Sequence, residues 1–215
     1  DVNKQSPDVR IYNFLTKDTA TIYLDTSGEA LFKRGYRQTH LEAPLKENLA
    51  AGLIMLTNWQ SHMPFYDPMC GSGTIAMEAI SIGLNLAPGL NRHFGFEKLV
   101  QFDLNEFKLL KQQAEADINY NSPLKIYASD INKRSISIMQ TNLVLAGLGK
   151  YLKPEVADFL DRRAPEDNGI LLCNPPYGIR LDEQENLAKF YPLLGHHLKK
   201  SFANWNCYFF SADMS

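Results

Sequence analysis

Residues 9–15 and 20–25 alternate apolar and polar side chains, with Tyr, Ile and Val prominent, and predict two strands joined by a turn at Lys17, Asp18 and Thr19. A third extended stretch, 30–36, follows a turn at Ser27 and Gly28, so the first forty residues are expected to form a small antiparallel β meander. The period then lengthens. Behind Pro44, which suits a first helical turn, Leu49, Leu53, Ile54 and Leu56 recur at helical spacing and predict a helix over 45–59. A short apolar lead-in at 63–66 predicts a strand, and 75–84 a helix. Phe107, Leu109, Leu110, Ala114 and Ile118 trace an amphipathic helix inside an interval with no further strand before 125–130. A helix over 133–145, a short strand within 154–159, an apolar run over 169–173, a helix over 186–202 and a buried strand over 206–211 complete the pattern. Strands alternating with helices from residue 60 onward indicate an α/β fold with a doubly wound, largely parallel sheet. The run 169–173 is uniformly apolar, as a strand covered on both faces requires.

Asp67, Pro68, Met69, Cys70, Gly71, Ser72, Gly73 and Thr74 lie between the lead-in strand and its helix. A strand that ends in an acid, turns through two glycines and opens a helix is suited to a polar cofactor. Glycine permits positive φ and close backbone approach, and the first N–H groups of a helix lack partners within it. Gly71, Gly73 and Ala76 also fit the spacing of dinucleotide-binding turns, so the loop alone leaves the kind of nucleoside cofactor open. In a minimal dinucleotide-binding unit the ribose-binding acid follows within about twenty residues. Here the next strand ending in an acid closes on Asp130, so 87–122 is expected to be an insertion, which counts against a plain nicotinamide dehydrogenase. Asp130 is placed to accept from two ribose hydroxyls, or to cap the helix that begins at Lys133.

Asn174, Pro175, Pro176 and Tyr177 directly follow the apolar run. An amide, two prolines and an aromatic ring at a strand end suit methylation of an amine. The exocyclic amine of a base is a poor nucleophile because its lone pair is delocalised into the ring. An Asn side-chain oxygen and a proline-locked carbonyl that both accept from that amine favour the form whose lone pair faces a methyl donor, while a Tyr ring holds the base by stacking. A rigid turn after a strand is the plainer reading of the same residues.

With both motifs in place, the chain resembles class I S-adenosylmethionine-dependent methyltransferases, and more narrowly the THUMP-associated RNA guanine-N2 methyltransferases of the RlmL type that act on bacterial 23S ribosomal RNA. The likeness runs through 24–29, 34–37 and 43–50, then the Asp67 loop, Ala87, Pro88 and Gly89, and Asn174 to Tyr177. It implies a Rossmann-like class I methyltransferase domain over 41–215 with a helical insertion at 87–122. It also implies that 1–40 is a β segment joining an RNA-binding THUMP module outside this chain, and that the sheet continues beyond residue 215. S-adenosyl-L-methionine is the implied cofactor, held by Asp67, Pro68, Cys70, Gly71 and Gly73 at its amino acid end, by Asp130 and Ile131 at the ribose, and by Asp158 and Phe159 at the adenine. Asn174 belongs to that set and, with Pro175 and Tyr177, to the catalytic one. Large-subunit ribosomal RNA is the implied partner, and Arg34 and Arg37 are the implied RNA contacts. The same pocket would suit adenine N6 in DNA, and a non-catalytic RNA-binding module on the same fold is the third reading.

Composition narrows the context. The 215 residues are 45% hydrophobic and 21% charged, as in ordinary globular domains, and no run of about eighteen apolar residues is present. The three cysteines are odd in number and far apart, which argues against a disulfide framework or a zinc site and for reduced thiols in a cytoplasmic protein. A net charge of −2 gives the chain little of the basic footprint that drives nucleic-acid binding, apart from Lys33, Arg34, Arg37 and His40.

Overall fold

The computed structural model describes residues 7–35, 45–175 and 181–211, with the side chains of 181–189 left aside. These residues group into two compact units, Asp1–Gly35 with Leu86–Ile118, and Tyr36–Asn85 with Asn119–Ser215.

In the first unit, β1 (Ile11–Thr16) and β2 (Thr19–Leu24) pair antiparallel in the register Thr16 opposite Thr19, and Lys17 turns the chain at φ 49°. Among the described residues 30–35 the expected third strand is not formed. Asp25 Oδ1 accepts from Ser27 N–H at 2.9 Å and Gly28 takes φ 73°, which turns the chain away. Backbone acceptors of the next stretch go to a side chain instead of a ladder, since the Arg92 guanidinium donates to the carbonyls of Ser27 (3.1 Å), Glu29 and Ala30 (3.2 Å). Arg92 also lies 4.8 Å over the Phe94 ring. Phe94 stacks on Phe96 at 4.9 Å, and Phe107 meets Phe96 edge-on at 5.3 Å, so an aromatic cluster organises this part of the chain. Phe107 belongs to α3 (Leu104–Ala116), which Asp103 caps by accepting from Asn105 N–H at 2.8 Å and Glu106 N–H at 3.1 Å.

The second unit is built on a five-stranded, all-parallel sheet of β3 (Phe65–Asp67), β4 (Ile126–Asp130), β5 (Glu155–Val156), β6 (Gly169–Cys173) and β7 (Trp205–Phe209). Their order across the sheet is β5-β4-β3-β6-β7, so the chain starts in the middle, winds outward through β4 and β5, then returns to the other side of β3. That is the doubly wound arrangement expected from the sequence. α1 (Glu47–Leu56) packs on α2 (Thr74–Gly83), while α4 (Lys133–Leu145) packs on β4. Phe65 is fully buried against the edge of Trp59 at 5.4 Å. Tyr66, next in the strand, points to the opposite face. There it joins Phe159, Leu171, Cys173, Phe202 and Trp205, together with Leu194 of α5 (Leu181–Ser201). Both faces are therefore covered, which is why all five residues of β6 are buried. α5 carries Pro192 in its interior, where one backbone hydrogen bond is forfeited. No described helix is long and apolar enough to cross a membrane.

Candidate active site

β4, β3 and β6 are neighbours, so their carboxyl ends bring Asp130, Asp67 and Asn174 to one edge of the sheet. The strand order reverses between β3 and β6. In open α/β sheets this reversal leaves a crevice in which ligands bind.

The glycine loop crosses that edge. Gly71 and Gly73 adopt φ 54° and 90°, so both positions need the freedom that glycine has. Gly73 also has no room for a side chain, since a Cβ there would lie 2.5 Å from Met139 Cγ on α4. α2 starts at this glycine without a side-chain cap from it. The Asp67 carboxylate serves instead, accepting from the backbone N–H groups of Met69 and of Ala76 in the first turn of α2. An acid at the strand end thus satisfies the helix it faces.

Asp67 is 1% exposed, and its Oδ1 has no hydrogen-bond partner among the described residues. Burial pushes its carboxyl well above the usual carboxylate range, and the nearby charge of Asp130 pushes the same way against the two N–H donors. Asp130 is held differently. Its Oδ2 accepts from Gly71 N–H at 2.9 Å and its Oδ1 from Asn132 N–H at 2.8 Å. The cap of α4 is Asn132, which accepts from Arg134 N–H at 2.8 Å and Ser135 N–H at 3.4 Å. Of the two roles open to Asp130 in the sequence, helix capping falls to its neighbour.

Three residues that sequence reasoning did not single out fix the loop. Ser129 accepts from Cys70 N–H at 3.0 Å through its carbonyl and donates from its hydroxyl to Pro68 O at 3.3 Å, while sharing a 2.7 Å hydrogen bond with the Tyr66 hydroxyl. Asn142 of α4 donates to Ser72 O at 3.3 Å from a fully buried position. Met139 fills the space beside Gly73. The only signal for Ser129 and Asn142 was a polar residue at an otherwise apolar position of a strand and a helix.

Pro68 and Cys70 are buried within the loop. Cys70 and Cys173 are free thiols whose pKa values burial raises, so both stay protonated and serve as apolar packing. Ile131, beside Asp130, is 67% exposed and presents an apolar surface at the crevice edge. Asp158 accepts from Leu160 N–H at 2.9 Å and so caps its own short turn, and Ala157 N–H donates to Asp130 O at 3.0 Å, which ties that turn to the end of β4. The Phe159 ring is buried in the apolar cluster, which leaves its backbone as the part that a ligand could meet.

Asn174 is half-buried and Pro175 buried at the end of β6. Phe210 N–H donates to Cys173 O at 2.9 Å, extending the pairing of β6 with β7 up to Asn174 and fixing the backbone there. Tyr177 and Arg37 lie outside the described residues. Arg34 is half-buried in the first unit, where it donates to Leu31 O at 3.1 Å.

Comparison with known proteins agrees with this geometry. The family described as UPF0020, RMKL-like, methyltransferase domain, matches residues 34–215. The ribosomal RNA large subunit methyltransferase K/L of Psychromonas ingrahamii is 42% identical over 99% of this chain and 29% of its own length. Two crystal structures superpose closely. One is SMU.472, assigned as a methyltransferase and complexed with SAH, with a TM-score of 0.89 and 37% identity over 96% of this chain and 54% of that one. The other is a predicted N6-adenine-specific DNA methylase from Listeria monocytogenes, with a TM-score of 0.88 and 39% identity over 96% and 54%. The chain therefore spans between under a third and about half of the length of these relatives. From its match over most of its length, joined to a doubly wound sheet with the glycine loop at its reversal point, the chain belongs to the UPF0020 family of RMKL-like methyltransferase domains.

Proposed function

We propose that this domain binds S-adenosylmethionine along the carboxyl edge of the sheet and transfers its methyl group to the exocyclic N2 amine of a guanine in large-subunit ribosomal RNA. The observation that carries the reading is the meeting of three strand ends, Asp67, Asp130 and Asn174, around one glycine loop at the reversal of strand order. The residues present suit the cofactor. Asp67 keeps a buried acceptor without a partner, Gly71 and Gly73 allow close approach, and Asp130 stands on two N–H donors with an exposed isoleucine beside it. In this reading the amino acid end lies over Asp67 and Gly71, the ribose hydroxyls donate to Asp130, Ile131 covers one face of the adenine, and the turn at Asp158 and Phe159 meets its edge. The cofactor supplies an electrophilic methyl group on a sulfonium. Asn174 and the backbone before Pro175 accept from the target amine and orient its lone pair, and Tyr177 stacks on the base, which enters the site swung out of its own stack.

Ribosomal RNA as the substrate is favoured by the large-subunit ribosomal RNA methyltransferase relative, and guanine N2 by the motif resemblance. Adenine N6 in DNA is the second reading, favoured by the Listeria monocytogenes methylase. Incubation of the protein with undermodified ribosomal RNA or with duplex DNA and labelled S-adenosylmethionine, followed by mass spectrometry of nucleosides, separates them. N2-methylguanosine from the RNA is expected. N6-methyladenine from the DNA alone would replace the first reading with the second.

A further inference from the structure

Two carboxylates stand close together at this edge, and their surroundings differ. Both oxygens of Asp130 accept from backbone N–H groups, at 2.9 Å from Gly71 and 2.8 Å from Asn132. Asp67 lies near the Met69 and Ala76 N–H groups, and its Oδ1 is buried with no partner among the described residues. The titratable groups facing Asp67 are Asp130 from β4, Cys70 from its own loop and Cys173 from β6, and none of them is a cation. A second full charge there has no counter-ion, and a lone acceptor in a buried position is costly.

We propose that cofactor binding in this domain is proton-linked through Asp67. In the free protein Asp67 carries a proton on its unpartnered oxygen. On binding, the ammonium group at the amino acid end of the cofactor takes that place, an ammonium N–H donates to Oδ1, and the displaced proton leaves to solvent. One O–H bond breaks and one charge-assisted hydrogen bond forms, with no other change in bonding. The raised pKa that burial and Asp130 impose on Asp67 is what keeps the proton in place beforehand. The inference rests on the cofactor reading given above, and it adds that Asp67 senses the charge of the ligand.

Calorimetric titration of the protein with S-adenosylmethionine, and separately with S-adenosylhomocysteine, in buffers of different ionisation enthalpy counts the protons released. Both ligands carry the ammonium group, so each is expected to release close to one proton. Affinity for each should tighten as pH rises above the ordinary carboxylate range, by up to about tenfold per pH unit while free Asp67 remains protonated. Asp67→Asn should bind with heats independent of buffer and a flat pH profile. Buffer-independent binding by the wild-type protein, or undiminished release by Asp67→Asn, would overturn the inference while leaving the cofactor reading intact. Release confined to S-adenosylmethionine would place the sensed charge on the sulfonium and overturn the ammonium assignment. Failure of the wild type to bind either ligand would overturn the cofactor reading, and the inference with it.

Discussion

Gly71 N–H donates to Asp130 Oδ2 at 2.9 Å, so the side chain proposed to receive a ribose also holds the backbone of the glycine loop. Loop and acid are one device. Asp130→Ala should therefore weaken S-adenosylhomocysteine binding by more than tenfold, because a charge-assisted contact worth roughly 1.5–3 kcal/mol is lost along with the order of the loop. Calorimetry giving unchanged affinity would remove Asp130 from the site.

Gly73 is constrained twice, by φ 90° and by Met139 Cγ, which would stand 2.5 Å from any Cβ added there. The far end of a methionine can move, whereas the backbone strain stays. Gly73→Ala should cost about 1–3 kcal/mol in stability. It should cost most of that again when introduced beside Met139→Ala. A double-mutant cycle in which Met139→Ala abolishes the penalty would show that crowding, and not φ, sets the requirement.

Ser129 joins three parts of the site through Cys70 N–H, Pro68 O and the Tyr66 hydroxyl. Ser129→Ala should lower stability by about 1–3 kcal/mol, the usual cost of leaving a buried polar partner unsatisfied. Adding Tyr66→Phe removes that partner and should recover part of the loss. Denaturant melts of the two single variants and the double variant measure it, and strictly additive losses would deny the coupling.

Asn174 and Tyr177 carry the proposed chemistry. Asn174→Ala should slow methylation by about 10²–10³-fold, the range for one polar group aimed at a reacting centre, with little change in cofactor affinity. Asn174→Asp keeps an acceptor and should retain more activity than alanine. Tyr177→Phe should be nearly silent and Tyr177→Ala severe, since stacking needs the ring. Single-turnover rates measured beside thermal melts distinguish this from a rigid turn, for which activity would only follow melting temperature.

The raised pKa of Asp67 has a consequence for stability in the cofactor-free protein. A carboxyl whose folded pKa lies above its unfolded value binds more protons when folded. Its penalty is absent below the unfolded value of 3.8 and grows as pH rises toward the folded one. Wild-type stability should therefore fall with rising pH across that window relative to Asp67→Asn. Parallel pH profiles of the melting temperature for the two proteins would contradict it.

The parts of the fold readable in the sequence are those where local pattern and tertiary burial agree. The run 169–173 forms β6, and 133–145 forms α4, with the expected ends, because a uniformly apolar strand and a capped amphipathic helix have few alternatives. Gly71 and Gly73 are legible because the positive φ of the turn demands glycine, and Asp67 because it is an acid that closes an apolar strand. The third N-terminal strand expected over 30–36 does not form among the described residues 30–35, and the sequence hides this because the residue that captures carbonyls there, Arg92, is remote in the chain and leaves no local trace. Ser129 and Asn142 escape notice for a related reason. Their role is to meet backbone atoms of another segment, and only the parallel pairing of β3 with β4 and the packing of α4 create that proximity.

The grip of Arg92 on Ser27, Glu29 and Ala30 also sets an order of events in time. Arg92 stands 62 residues after Ala30. At a synthesis rate of about 5–20 residues per second, the hairpin emerges roughly 3–12 s before the arginine that secures the segment following it. Meanwhile β3 and α2 emerge between the two halves of a unit that neither of them joins. The hairpin, made before β3 and α2, is thus not finished before them, and the contacts that complete its unit are among those with the longest loops to close.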